Sequence, residues 1–213
     1  MAIATIVRRV QARRRPRRYV RIVPRKPRIQ APDVVYHVGS RGVEKRPIFD
    51  VIENDRIYFL VLIGRVVAKY RWICHAYCLM GNHFHLLVET PEANIAAGMQ
   101  YLKGRYATWF NQECERVGAL FERRYFGELV ETEGHAYELA RYVVLNPARA
   151  GFCKHPRDWE WSSYRAEVGL VRRPGFLQPG YVRDLFGEGA QGVARYERFV
   201  EDGLSYLDIA AAA

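Results

Sequence analysis

Hydrophobic and polar positions along the chain follow two periods, and the places where one gives way to the other delimit the elements. The run from Val34 to Val38 (VVYHV) is β-branched and aromatic and reads as a strand, with Gly39 to Gly42 (GSRG) as a flexible exit. Asp50, with Glu53 three residues on, is placed to cap a helix in which Ile57, Leu60, Val61, Gly64 and Val67 recur at helical spacing. Trp72 to Met80 and Phe84 to Glu89 read as two strands joined at Gly81-Asn82, residues that both tolerate positive φ, so the pair predicts a hairpin. Asn94 can cap a second helix from Ile95 to Phe110, and Tyr125 to Val130 forms an aromatic strand. A third helix runs from about His135 to Asn146, where Pro147 forbids continuation.

Strand, helix, hairpin, helix, strand, helix is an α+β order, which suits a ferredoxin-like antiparallel sheet with helices packed on one face. The chain divides into a basic N-terminal arm over residues 1–32, a main domain over 33–165 and a C-terminal extension over 166–213. The extension has a weaker helical pattern from Val193 to Leu204, and no internal repeat is present.

Charge changes this picture at one end only. The net charge is +10, yet residues 8–28 hold eleven Arg or Lys and no acid precedes Asp33, leaving 22 basic against 23 acidic residues in the remainder. With Pro16, Pro24 and Pro27 among the arginines, the arm cannot bury much apolar surface and should be extended or disordered alone. Such a segment suits a phosphate backbone, and Arg13, Arg14, Arg15, Arg17 and Arg18 are its densest part; a solvated tail is the plainer alternative. No run of about 18 apolar residues suggests a membrane span, and the basic N-terminus lacks the apolar stretch of a signal peptide, so a cytoplasmic protein with no membrane partner is expected. Four cysteines in 213 residues do not make a disulfide scaffold.

Two stretches can carry chemistry. His83, Phe84 and His85 form a His-hydrophobe-His triplet at the start of a strand, where alternation sends both imidazoles to one face, in reach of one metal ion. Alone the triplet is a weak signal. Cys74 and Cys78 could join it in a structural zinc site, but in a strand they would lie about 13 Å apart; two buried thiols is the simpler reading. In ELARYVVLNP (138–147), Ala136, Leu139, Ala140, Val143 and Pro147 cluster on one side of a helical wheel. Tyr142 lies off that cluster and shares a flank with the Asn146 amide four residues on; it suits either a reactive site or the edge of the core.

Taken together and in order, YHVGSRG (36–42), PIF (47–49), AYCLMGNHFHLLVET (76–90), LFERRYF (120–126), ELARYVVLNPARAG (138–151) and WSSY (161–164) resemble the IS200-type tyrosine transposases, and within them the bacterial REP-associated group. The resemblance covers about Val34 to Tyr164, and the region around Tyr196 to Val200 is similar to the longer members. It implies that Tyr142 is the nucleophile and that His83, His85 and Asn146 hold Mg²⁺ or Mn²⁺ as cofactor; insertion-sequence relatives often carry Gln where Asn146 stands. It also implies a 5′-phosphotyrosine link made and resealed on single-stranded DNA beside hairpins, by a monomer or homodimer. Arg41, Arg123 and Arg124 are candidate phosphate contacts, with Tyr125 and Phe126 as candidate stacking surfaces. Two other classes share parts of the pattern: a hairpin-binding protein without turnover, and a replication initiator or relaxase, which the short chain and lack of a helicase segment disfavour.

Overall fold

A computed structural model of the chain describes residues 30–178 and 185–212. The elements in order are β1 (Val34–Arg41), α1 (Asp55–Tyr70), β2 (Ile73–Leu79), β3 (His83–Thr90), α2 (Ile95–Glu113), β4 (Phe126–Leu129), α3 (Glu133–Arg149), a short α4 (Tyr164–Glu167) and α5 (Gly189–Ala212). The four strands form one antiparallel sheet in the order β2-β3-β1-β4, the βαββαβ arrangement of the ferredoxin-like fold. This puts β1 and β3, each buried along most of its length, in the centre.

Helices cover both faces of the sheet, not one. Tyr36, Val38, Phe84, Leu86 and Val88 bury against α1 and α2, while Val35, Ala76, Cys78, Met80 and Leu87 bury against Leu139 and Val143 of α3. A central strand that is apolar on both sides needs two covering layers, whereas the linear order of elements does not say which face a helix takes. Ala140, Val144 and Leu145, on the outer side of α3, pack against Tyr196 and Val200 of α5. The sheet, α3 and α5 are thus stacked, and α3 is held from two sides. Among the described residues no helix is long and apolar enough to cross a membrane.

Four local expectations change. β1 does not end at Val38 but runs on to pair Ser40 with Phe84 and Arg41 with His83. Gly39 permits this, because a Cβ there would sit 2.2 Å from the Phe84 carbonyl oxygen and 2.6 Å from the Phe126 ring. Asp50 does not cap α1; it pairs with Arg56, the N-cap position is Asn54 with no side-chain cap bond, and Asp55 ties down the preceding loop by accepting from Val51 N (3.0 Å) and Ile52 N (3.1 Å). Neither Gly81 nor Asn82 adopts positive φ, since the turn is tied to the 42–49 loop through Gly81 O, Asn82 O and the Asn82 side chain. Finally, α3 continues through Pro147 to Arg149. A proline so near the C-terminus removes one helical bond, and Ala150 N to Asn146 O and Phe152 N to Pro147 O close the end.

The edge strand β2 is covered as well as paired. Leu79 N donates to Trp161 O at 2.8 Å, and Ser163 Oγ accepts from Tyr77 N at 3.1 Å, so the WSSY segment blocks further strand addition.

Candidate active site

Alternation along β3 does what the triplet requires. Phe84 goes into the α1/α2 core beside Phe59, while His83 and His85 go to the opposite face with ring centroids 5.1 Å apart. His85 is buried and His83 is partly exposed. A third imidazole joins them from β1. His37 stacks on His85 with centroids 5.1 Å apart, and its Nε2 is 2.9 Å from His85 Nδ1. His37 was not among the residues singled out from the sequence; its partner lies across the β1/β3 pairing, and only the register reveals it.

Thr132 begins α3 by accepting from His135 N at 3.1 Å, and the apolar stripe of Leu139 and Val143 lies against the sheet. With the stripe fixed there, Tyr142 sits at the stripe's edge, edge-on to His85 (5.5 Å between centroids) and to His37 (5.7 Å). Asn146, one turn on, donates from Nδ2 to Tyr142 O at 2.7 Å, which leaves its Oδ1 as an acceptor. His83, His85, Tyr142 and Asn146 all line one open cleft of about 1100 Å³. Tyr106 and Tyr137 do not: the first is buried with its hydroxyl donating to Ile48 O, and the second donates to Leu185 O at 2.6 Å.

The cleft walls are basic. Arg41, Arg123 and Arg124 line it, together with Arg141 and Arg149. Glu122 engages Arg123 at 2.8 Å and Glu138 engages Arg141 at 2.7 Å, whereas Arg41, Arg124 and Arg149 have no ion-pair partner among the described residues. The Arg149 guanidinium lies 5.5 Å from the centre of the Tyr142 ring, a contact the sequence reading missed because proline seemed to end the helix two residues earlier. Phe126 stays 42% exposed beside His37, but Tyr125 is buried and offers no stacking face. Arg13, Arg14, Arg15, Arg17 and Arg18 lie outside the described residues.

The sequence model of the family described as "Transposase IS200 like" matches residues 31–146, just over half of the chain. The chain belongs to this family. A protein of Haemophilus influenzae named as a REP-associated tyrosine transposase is 25% identical over 140 residues, covering 56% of this chain and 80% of its own length. Among solved structures, a REP-associated tyrosine transposase bound to a REP hairpin is similar with a TM-score of 0.59 at 14% identity, over 73% of this chain and 92% of that one. At that identity the likeness concerns the fold.

In this IS200-like family member His83, His85 and the Asn146 amide are donors that can hold a divalent ion, although softness alone favours zinc or nickel over Mg²⁺ for imidazoles. Burial pushes His37 and His83 down to about 4, with Arg41 adding to the effect on His83, and holds His85 well below the ordinary histidine range. All three rings are therefore neutral near pH 7, as ligation by imidazole requires. His85 Nε2 is buried without a hydrogen-bond partner, an orphaned atom that a ligated ion would satisfy. His83 Nδ1 is 2.6 Å from Asn82 Oδ1, and since that amide donates to Lys45 O, the oxygen accepts and His83 Nε2 keeps its lone pair. The Cys74/Cys78 zinc alternative fails. A bulge between Cys74 and Ala76 sends the two thiols into different cores, and burial raises Cys74 to about 12 and Cys78 higher still.

Proposed function

We propose that this transposase nicks and rejoins single-stranded DNA beside hairpins of the REP kind, through a 5′-phosphotyrosine link to Tyr142. The observation that carries the reading is the meeting of Tyr142 with His85 at 5.5 Å, in the cleft that Asn146 and His83 also line. The Haemophilus influenzae relative and the solved neighbour are both REP-associated transposases, and the neighbour is bound to a REP hairpin, which supports hairpin DNA as the substrate class.

In the first step Tyr142 Oη forms a bond to the scissile phosphorus while the bond from phosphorus to the preceding nucleotide's 3′ oxygen breaks. The proton given up by the tyrosine goes to that 3′ oxygen, so the products are a tyrosine–phosphate ester and a free 3′-OH. The reverse reaction rejoins the strand, and no nucleotide cofactor is consumed. A Mg²⁺ or Mn²⁺ ion held by His83, His85 and Asn146 would polarise the phosphate and offset the charge that develops on it. Arg149, over the Tyr142 ring, adds positive charge beside the new ester. Arg41, Arg123 and Arg124 line the path for the flanking phosphates, and the exposed Phe126 ring supplies a stacking surface for a base. The arm, with Arg13, Arg14, Arg15, Arg17 and Arg18, contributes further phosphate contacts that carry no sequence information.

The test is a labelled single-stranded hairpin incubated with Mg²⁺ or Mn²⁺. The parent should give cleavage and an adduct that survives denaturation, and Tyr142→Phe should bind the DNA with similar affinity yet give neither. Tyr106→Phe and Tyr137→Phe should retain the adduct wherever they fold. A parent that binds the hairpin but yields no adduct with either metal would replace this reading with a non-catalytic hairpin-binding protein.

A further inference from the structure

We propose that His37, biased by Glu128, is a positioning residue that fixes the tautomer and ring orientation of His85, so that His85 Nε2 is presented to the cleft as a lone pair. The proposal rests on the metal-assisted reading above and assigns a role to two residues that reading does not use. Between two neutral imidazoles 2.9 Å apart, one nitrogen donates and the other accepts, so two arrangements compete. If His37 Nε2 donated, His85 would carry its proton on Nε2, where the buried atom has no partner, and the bare His37 Nδ1 would face the Glu128 carboxylate 3.8 Å away. Both consequences are unfavourable. In the other arrangement His37 carries its proton on Nδ1, which makes no hydrogen bond either but lies 3.8 Å from the Glu128 carboxylate, where an N–H is attracted and a lone pair repelled, and its Nε2 accepts from His85 Nδ1. His85 Nε2 is then the free lone pair.

Three features hold the relay in place. His37 is 4% exposed and its ring is packed edge-on against Phe126 (5.1 Å) and Tyr142 (5.7 Å), so it cannot turn freely. The second oxygen of Glu128 lies 3.5 Å from His135 Nε2 at the start of α3, which keeps the carboxylate between two imidazoles. His83 is set in the same tautomer by a different device, the Asn82 amide, so the two strand histidines reach the cleft with matching Nε2 lone pairs. A partner on the far nitrogen of a metal-binding imidazole is a recurrent way of orienting it, and its loss typically weakens binding by about 10- to 100-fold.

Mn²⁺ binding to the metal-free protein, followed by electron paramagnetic resonance of the free ion, tests this without relying on activity. His37→Phe keeps a ring but removes the acceptor; its Mn²⁺ dissociation constant should rise roughly 10-fold or more, while His37→Gln, which can still accept from His85 Nδ1, should restore most of the affinity. Glu128→Gln, at a largely exposed side chain that is safe to change, should shift it in the same direction by a smaller factor. DNA cleavage by His37→Phe should recover as Mn²⁺ is raised, which loss of packing alone would not produce. If His85→Ala loses Mn²⁺ binding while folded His37→Phe and Glu128→Gln both bind like the parent, the relay is wrong and the metal site stands. If the parent itself binds no Mn²⁺, the metal reading fails and the relay falls with it.

Discussion

Gly39 is the position where the fold and the site are most tightly linked, and Gly39→Ala should damage both. The added methyl would lie 2.2 Å from the Phe84 carbonyl oxygen and 2.6 Å from two atoms of the Phe126 ring. Carbon–oxygen contacts ordinarily begin near about 3.3 Å, so roughly 1 Å of movement is required. The Phe84 oxygen is backbone in the central β1/β3 pairing and cannot swing aside, and Gly39 is the register partner of His85. Overpacking of this kind costs about 1–3 kcal/mol. At about 2 kcal/mol, the melting temperature of a chain this size should fall by about 4–8 °C. A displacement of about 1 Å at a catalytic group can cost roughly 10²-fold in rate, so hairpin cleavage should fall far more than hairpin binding. Calorimetry and single-turnover cleavage read the two effects separately. Adding Phe126→Ala relieves the ring but not the carbonyl, and should recover only part of the loss. A Gly39→Ala protein that melts within about 1 °C of the parent and cleaves at the parent rate would refute the reasoning.

Deleting residues 1–28 should weaken DNA binding and flatten its salt dependence, because each lost phosphate contact removes about 0.9 from the logarithmic slope on duplex; an unchanged slope in filter binding would mean that the arm does not touch DNA. Stability should decline as pH falls. His37 and His83 titrate at about 4 in the folded protein but near 6.5 when unfolded, so between those values the unfolded chain binds more protons and is favoured. Urea midpoints in EDTA at pH 7.5, 6.5 and 5.5 should fall in that order, and a flat series would contradict the burial argument. Since one chain brings His83, His85, Tyr142 and Asn146 to a single cleft, mixing His85→Ala with Tyr142→Phe should not restore cleavage; recovered activity would show that the site is shared between copies.

Sequence pattern carried the parts of this protein that depend on spacing within one element. Two-residue alternation put His83 and His85 on one face, and four-residue helical spacing put Tyr142 beside Asn146, because both relations are local. What it missed depends on pairing between elements. The partnership of His37 with His85 needs the β1/β3 register, and the exposure of Phe126 but not Tyr125 depends on which side of the sheet each ring takes, Tyr125 in the core with α1 and α2 and Phe126 at the cleft beside His37. The assignment of α3 to the face opposite α1 and α2 requires knowing that β1 and β3 are buried on both sides. Proline and glycine misled in the same way. Pro147 sits close enough to a helix end to be tolerated, and Gly39 serves a close approach within a strand where a turn was expected.

The central claim, that Tyr142 attacks the phosphate, is tested most directly by locating the covalent bond. The adduct formed on a labelled hairpin in Mn²⁺ can be trapped by denaturation, trimmed with nuclease, digested with protease and mapped by mass spectrometry. The account predicts a 5′-phosphonucleotide on the peptide that carries Tyr142, and on no other tyrosine. A nucleotide mapped to Tyr106, Tyr137 or any other residue, or to Tyr142 through a 3′ phosphate, would contradict it.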